Sequence, residues 1–147
     1  TRRISIRFIE LMQTGDNREY FQRHHLPAET LRQQLTAMGW QLQQRAPEAG
    51  PALEYAHPDY AGRIGIIAPY SKDFCVGCNR LRVTATGDLR LCLFGEFGIN
   101  LRPLLQDDAQ QQELIEKLRT QLGLKAAGHD LANGSTGLTP HLASIGG

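Results

Sequence analysis

Three cysteines, Cys75, Cys78 and Cys92, stand in the pattern C-x2-C-x13-C and are the only cysteines in the chain. No other feature limits the fold as much. Thiolates at i and i+3 converge on one ion or cluster only if the backbone between them turns tightly, and Val76-Gly77 supplies such a turn. The third thiol has to arrive from elsewhere, and the intervening residues predict a hairpin that delivers it. Leu81, Val83 and Ala85 alternate with Arg80, Arg82 and Thr84, then come a turn at Thr86-Gly87-Asp88 and a returning strand from Leu89 to Phe94. Folding that hairpin lays Cys92 near Leu81, beside the first pair.

Three thiolates are one short of a structural zinc site, and one short of a fully ligated iron–sulfur cluster. Either a fourth ligand comes from His57, His129 or His141, giving a Cys3His zinc-binding interaction domain, or one coordination position stays open. None of these histidines stands at a characteristic spacing from the cysteines. Reduced core thiols are a weaker reading, because C-x2-C with a hairpin-returned third cysteine is uncommon by accident. A redox disulfide is weaker still, since no strand-to-helix context surrounds the motif.

Composition restricts the setting of this site. A chain of 147 residues, 41% hydrophobic, is large enough for an ordinary core. Its 16 basic and 15 acidic residues give no global field for nucleic acid, so any anion binding has to be local. No long apolar run suggests a membrane span, and an odd cysteine count argues against a secreted disulfide framework. The expected location is the cytoplasm.

Along the chain the pattern predicts strand, helix, strands, hairpin, helix and a glycine-rich tail. Residues 3 to 12 predict a strand apolar enough for a buried position, as in the last strand of a barrel whose earlier strands precede the chain. Pro27, Leu31, Leu35, Met38 and Gly39 mark the next helix. Short strands are expected at Trp40 to Gln44 and Leu53 to Ala56 around a turn over residues 45 to 52 with Pro47, Gly50 and Pro51, then a strand from Gly62 to Ala68. Asp108 and Gln111 have capping spacing ahead of a stripe of Leu114, Ile115, Leu118 and Leu122, which Gly123 ends. Beyond it the glycines suit either a mobile tail or a thin end, Gly146-Gly147, that enters a narrow cavity. The same two glycines suit a ubiquitin-like carrier, but that fold does not account for three cysteines.

The arginines beside the cysteines favour a ligand. Arg80 and Arg82 are two apart on the predicted strand, so both face the open side of the thiolate site. Guanidinium offers paired donors suited to phosphates and to carbonyl or ring-nitrogen acceptors. An ordinary solvated face of Arg80, Arg82 and Arg90 is the plain alternative.

Three separated motifs then carry a resemblance. Phe74-Cys75-x-x-Cys78-Asn79-Arg80-Leu81-Arg82-x-Thr84 with Gly87-x-Leu89-Arg90-x-Cys92-Leu93 is the first. The others are Arg7-Phe8-Ile9-Glu10-Leu11-Met12 and the terminal Ile145-Gly146-Gly147. In this order they closely resemble the C-terminal part of the GTP 3',8-cyclases, radical S-adenosylmethionine enzymes that open molybdenum cofactor biosynthesis. The resemblance implies an α/β protein, α+β within this chain. Residues 1–39 would be the last strand and helix of an incomplete TIM-like radical-SAM barrel. Residues 40–122 would be an antiparallel [4Fe-4S]- and GTP-binding region carrying the cysteine hairpin, and 123–147 the glycine-rich tail. Cys75, Cys78 and Cys92 would hold a [4Fe-4S] cluster whose unligated iron accepts the guanine of GTP. Arg80, Leu81 and Arg82 would line the nucleotide pocket, Met12 and Arg7 would approach S-adenosylmethionine, and Gly146-Gly147 would reach the active site. An unbroken strand would turn Arg7 and Met12 to opposite faces, so both carry over only if it bends or ends before Met12.

In that family the S-adenosylmethionine-cleaving cluster, a second [4Fe-4S] group, binds through C-x3-C-x2-C, a motif absent from this sequence. The chain also opens without a methionine. The expectation is therefore the C-terminal portion of a longer polypeptide, inert by itself, completing an active lyase when joined to its N-terminal barrel portion. A lone barrel strand would leave an edge that could pair with a second copy.

Overall fold

The computed structural model describes residues 3–46, 49–96 and 98–145. They fall into two compact units. One comprises the residues up to Met12 together with Glu19–Phe74, and the other Gln13–Arg18 together with Cys75 onward.

The first unit is a mixed sheet with helices. Its elements are β1 (Ser5–Ile9), α1 (Arg18–His24), α2 (Ala28–Ala37), β2 (Gln41–Leu42), β3 (Leu53–His57) and β4 (Tyr60–Ile67). The sheet order is β1-β4-β3-β2, with β1 parallel to β4 and the remaining pairs antiparallel. The expected helix is present, with Pro27 at its N-cap and Met38 at its C-cap, where the Met38 N–H donates to the carbonyls of Gln34 and Leu35. Cross-strand register explains the core: Tyr55 faces Ile64 and Leu53 faces Ile66, so one side of β3 and β4 is apolar. Ala28 and Leu35 of α2 pack with Tyr55, Ile66 and Ala68, and Leu31, Trp40, Leu53 and Ile64 close around them.

β1 departs from expectation in length and burial. It covers five residues rather than ten and ends at Ile9, so Met12 lies beyond it. The buried position expected of it is not what this chain provides: Ile6 is 54% and Phe8 46% exposed. The reason is that β1 is an edge, covered on one side only by β4.

The second unit is built on much shorter strands. Its sheet has the order β5 (Arg82–Val83), β6 (Asp88–Arg90), β7 (Gly98–Asn100), all antiparallel, and Leu89 at its centre is 1% exposed. β7 is an element the sequence pattern did not announce. The last helix, α3 (Gln111–Leu122), comes after a 3-10 turn at Asp108–Gln110. Its capping box sits at Asp107 and Gln110, one residue before the expected pair: the Ala109 N–H donates to Asp107 and the Asp107 N–H donates to Gln110.

Beyond α3 several residues of the glycine-rich tail are packed. Leu131, Thr139 and Ile145 are buried. The Leu138 N–H donates to Gly95 O at 3.1 Å, and the Thr139 hydroxyl donates to Leu93 O. The turn at Gly15 and Asp16 donates in its turn to the carbonyls of Thr139 and Pro140. Spaced backbone pairing of this kind leaves no periodicity in the sequence. Gly146 and Gly147 lie outside the described residues. Among those described, no helix is long and apolar enough to cross a membrane.

Candidate functional site: the cysteine loop and its covering segment

The site begins as a turn. The Cys78 N–H donates to Cys75 O at 3.0 Å, closing a β-turn in which Gly77 takes φ +70°, a left-handed value that side chains resist. All three cysteines are free thiols and half-buried. The chain then enters β5, reverses over residues 84 to 87, and returns in β6. The reversal is pinned by Thr84 N–H to Asp88 O and Gly87 N–H to Thr84 O, each 2.9 Å, and by the Thr86 hydroxyl on Asp88 at 2.7 Å.

β5 and β6 pair over two positions only, and β6 ends at Arg90 rather than Phe94, so Cys92 lies beyond the paired strands. Arg82 pairs with Arg90 and Val83 with Leu89.

One segment runs over this loop directly after α3. The Lys125 Nζ donates to Arg80 O at 2.9 Å and also to Leu91 O, so a single ammonium joins the two arms between Cys78 and Cys92. Three residues on, a Cβ at Gly128 would lie 3.8 Å from the Cys75 Sγ. The His129 ring then meets Phe94 edge-on at 5.6 Å between centroids, and its Nδ1 accepts from the Leu131 N–H. Burial pushes the His129 ring below its ordinary range, against smaller opposing effects of a backbone hydrogen bond and of the Asp130 charge.

The charge around the loop is positive. Burial opposes ionisation of the Cys78 thiol. The Arg80 backbone N–H and side chain, with the Lys125 and Arg80 charges, outweigh it and hold the thiol below its usual range. Arg82 and Arg90 face each other across β5 and β6, where like charges directly opposite are destabilising. Neither has a carboxylate partner among the described residues. The Arg90 guanidinium lies over Gly98, whose Cβ would meet Nε at 3.3 Å, and its Nη2 donates to Leu138 O. Its Nε and Nη1 are buried with no acceptor among the described residues. Arg80 and Arg82 are half-buried, while Leu81 between them is exposed.

The remaining expected residues are distributed differently. Arg7 reaches Glu54 at 3.5 Å, and Arg63 reaches the same carboxylate at 2.9 Å. Together with Arg45 and Ile67 they line a cleft of about 320 Å³. Met12 is half-buried just past β1. The ring of His57 is occupied otherwise, packed against Trp40 and Tyr60 and accepting from the Asp59 N–H, and His141 is exposed. Among the described residues, no group of three or more His, Cys, Asp or Glu converges closely enough to hold one metal ion.

Sequence reasoning missed Lys125, Gly128 and the position of Arg90. Lys125 lies 33 residues after Cys92 without a motif, so no local signal could have found it. Arg90 could have been found from hairpin register, which puts it opposite Arg82 on one face.

Comparison with known proteins places the chain in a family. The model described as Molybdenum Cofactor Synthesis C matches residues 4–131. The chain is 68% identical over 146 residues to a protein of Stenotrophomonas maltophilia (strain K279a) named GTP 3',8-cyclase, covering 99% of this chain and 45% of that protein. It is 56% identical over 146 residues to the protein of that name from Vibrio parahaemolyticus serotype O3:K6, covering 99% of this chain and 44% of the relative. For the Shewanella denitrificans protein of that name the figures are 57% over 144 residues, 98% and 43%. The chain thus spans less than half the length of these curated relatives and matches their C-terminal portion. It belongs to the molybdenum cofactor synthesis C family.

Proposed function

We propose that this chain is the [4Fe-4S]- and GTP-binding portion of a GTP 3',8-cyclase of molybdenum cofactor biosynthesis. The whole enzyme would convert GTP to (8S)-3',8-cyclo-7,8-dihydroguanosine 5'-triphosphate with an S-adenosylmethionine-derived radical. The observation that carries the reading is a loop of three free thiols under positive charge, in a chain of this family. Three thiolates are one short of a structural zinc site, which gathers its ligands on one ion at about 2.3 Å. A four-iron cluster offers each thiolate its own iron, so its ligands stand further apart. Cys75, Cys78 and Cys92 would be those ligands, and bound there the cluster would supply a Lewis-acidic iron with an open position for an acceptor on the substrate.

The chain's own contribution is binding and orientation. Arg80 and Arg82 hold the nucleotide through paired guanidinium donors, and the exposed Leu81 between them offers an apolar contact to the base. Arg90, with buried unsatisfied donors opposite Arg82, extends the same cationic face. Such a face is costly without an anion, and a triphosphate removes the cost. Arg7 and Met12 remain the proposed approach to S-adenosylmethionine, and β1 ending at Ile9 removes the alternation that would have turned them apart. Radical generation, with its own cluster, belongs to the N-terminal portion of the enzyme.

Iron, sulfide and zinc analysis after anaerobic reconstitution, followed by titration with GTP, tests this reading. About four irons per chain, with a spectroscopic signal perturbed by GTP, are expected. Arg80→Ala and Arg82→Ala should weaken GTP binding and leave iron content unchanged. Stoichiometric zinc without a visible cluster or a GTP effect would return the chain to a zinc-binding interaction domain.

A further inference from the structure

We infer that Lys125 is a positioning residue of the thiolate site, an ammonium clip that fixes the spacing of the two arms carrying Cys78 and Cys92 and sets the charge around whatever those thiolates hold. The inference rests on the cluster reading for its second half only. Its first half stands on geometry: one Nζ donates to Arg80 O, two residues after Cys78, and to Leu91 O, one residue before Cys92.

The hairpin by itself cannot fix that spacing. The β5–β6 ladder ends at Arg82 and Arg90, so beyond it the arms toward Cys78 and Cys92 have no mutual ladder bonds among the described residues. A cluster tolerates little variation in the separation of its ligands, and two unladdered arms would leave a broad distribution. Hydrogen bonds from a charged donor are roughly twice as strong as neutral ones, and a half-buried ammonium loses less of that strength to water. Lys125 is placed by its own element: its N–H donates to Leu122 O at 3.2 Å as α3 unwinds, and the chain continues to Gly128, against Cys75. The segment that bears the clip therefore also covers the first cysteine.

Charge gives the clip a second role. Three thiolates bring three negative charges into a half-buried loop, and a fixed ammonium beside them offsets their repulsion. A nearby positive charge also favours the more reduced state of a bound cluster, and so raises its potential.

Lys125→Gln and Lys125→Arg in the full chain separate these roles, with Lys117→Gln on the exposed side of α3 as the charge control. In metal-free protein, amide exchange across residues 82 to 92 should be about tenfold faster in Lys125→Gln, the scale of one lost charged hydrogen bond. In reconstituted protein, iron release to a chelator should accelerate by a similar factor. The cluster potential should move to more negative values in Lys125→Gln, stay near wild type in Lys125→Arg, and not move in Lys117→Gln. Should Lys125→Gln fail to fold, Lys125→Arg carries the test, because the larger planar guanidinium keeps the charge but cannot occupy the compact ammonium's place between the two carbonyls: exchange rises while the potential is kept. Wild-type exchange and wild-type iron release in Lys125→Gln would overturn the proposal. Wild-type protein that takes up no iron would sink the cluster reading alone, and the exchange measurement would still decide the clip.

Discussion

The two compact units differ in what holds each of them together. In the first, a helix lies on a sheet whose strands reach eight residues, and the core is aliphatic and aromatic: Leu35, Tyr55 and Ile66 with their neighbours. In the second, no strand among the described residues exceeds three residues, α3 has no fully buried residue, and one of the most buried side chains is a threonine. Beside the buried Leu89, Phe94, Leu101, Leu131 and Ile145, its segments are tied by polar bonds to carbonyls, from Lys125 to Arg80 and Leu91, from Thr139 to Leu93, and from Arg90 to Leu138. Burial is non-directional and tolerates small shifts, whereas a bond to a named carbonyl fixes one geometry. The unit that bears the cysteines is the one built for position.

Removing bulk from the first core should have the largest effect. Ile66 is 1% exposed beneath α2, and Ile66→Ala is expected to cost about 2–5 kcal/mol through lost burial and the cavity left behind. The single Trp and all four Tyr lie between residues 19 and 74, so intrinsic fluorescence reports this unit alone. A fluorescence midpoint that falls while amide exchange over residues 82 to 92 is unchanged would support two independently stabilised units. Equal loss in both would merge them into one cooperative structure.

The converse substitution is Gly137→Ala. Gly137 has φ +54°, and a Cβ there would lie 2.5 Å from Phe94 O and 2.6 Å from Gly95 O, backbone atoms that cannot rotate away. The expected cost is about 1–3 kcal/mol from the strained backbone. With it the Leu138–Gly95 and Thr139–Leu93 bonds should weaken. Exchange at residues 131 to 145 should rise with Trp40 fluorescence unmoved. An unaltered exchange pattern would mean that this packing is not what orders the segment.

The same contrast explains what could be read from sequence. α2 and β2 to β4 follow from apolar periodicity and turn residues, because burial writes a period into the chain. The cysteine turn and the hairpin reversal were legible from Gly77 and Thr86-Gly87-Asp88, residues chosen for backbone geometry. β1 was read as too long and too buried, since periodicity reports what a strand is suited to and says nothing of which neighbours are present. β7, the packed stretch from Leu131 to Ile145 and the Lys125 clip were invisible. They depend on carbonyls, which every residue has, so the acceptors carry no sequence signal.

Asp107→Ala perturbs the second unit more gently. It removes the capping box ahead of α3, at an expected cost of about 1 kcal/mol. If α3 places Lys125, the variant should also speed exchange at residues 82 to 92, by less than Lys125→Gln does. No change there, with the helix itself frayed, would show that the segment after Gly123 is held by its own contacts.

The smallest effect is a difference in pH response. The folded His129 titrates below its ordinary value of 6.5 because burial disfavours the imidazolium. Between those two values the unfolded chain binds more protons, so this contribution is complete above 6.5 and is lost as pH falls through the folded value. Glu54 titrates below its ordinary value of 4.5, chiefly because Arg63 donates to it, with Arg7 adding to the same effect. Its contribution is complete above 4.5 and is lost only as pH falls through the folded carboxyl. Both groups are partly exposed, so solvent screening keeps each effect small. Acidification from pH 7 to 5 should therefore loosen residues 125 to 145, read by exchange corrected for its intrinsic pH dependence, before Trp40 fluorescence responds. His129→Gln should flatten the first response and leave the acid-side behaviour of the first unit intact. Simultaneous loss in both units, or a response that survives His129→Gln, would place the pH sensitivity in groups other than these two.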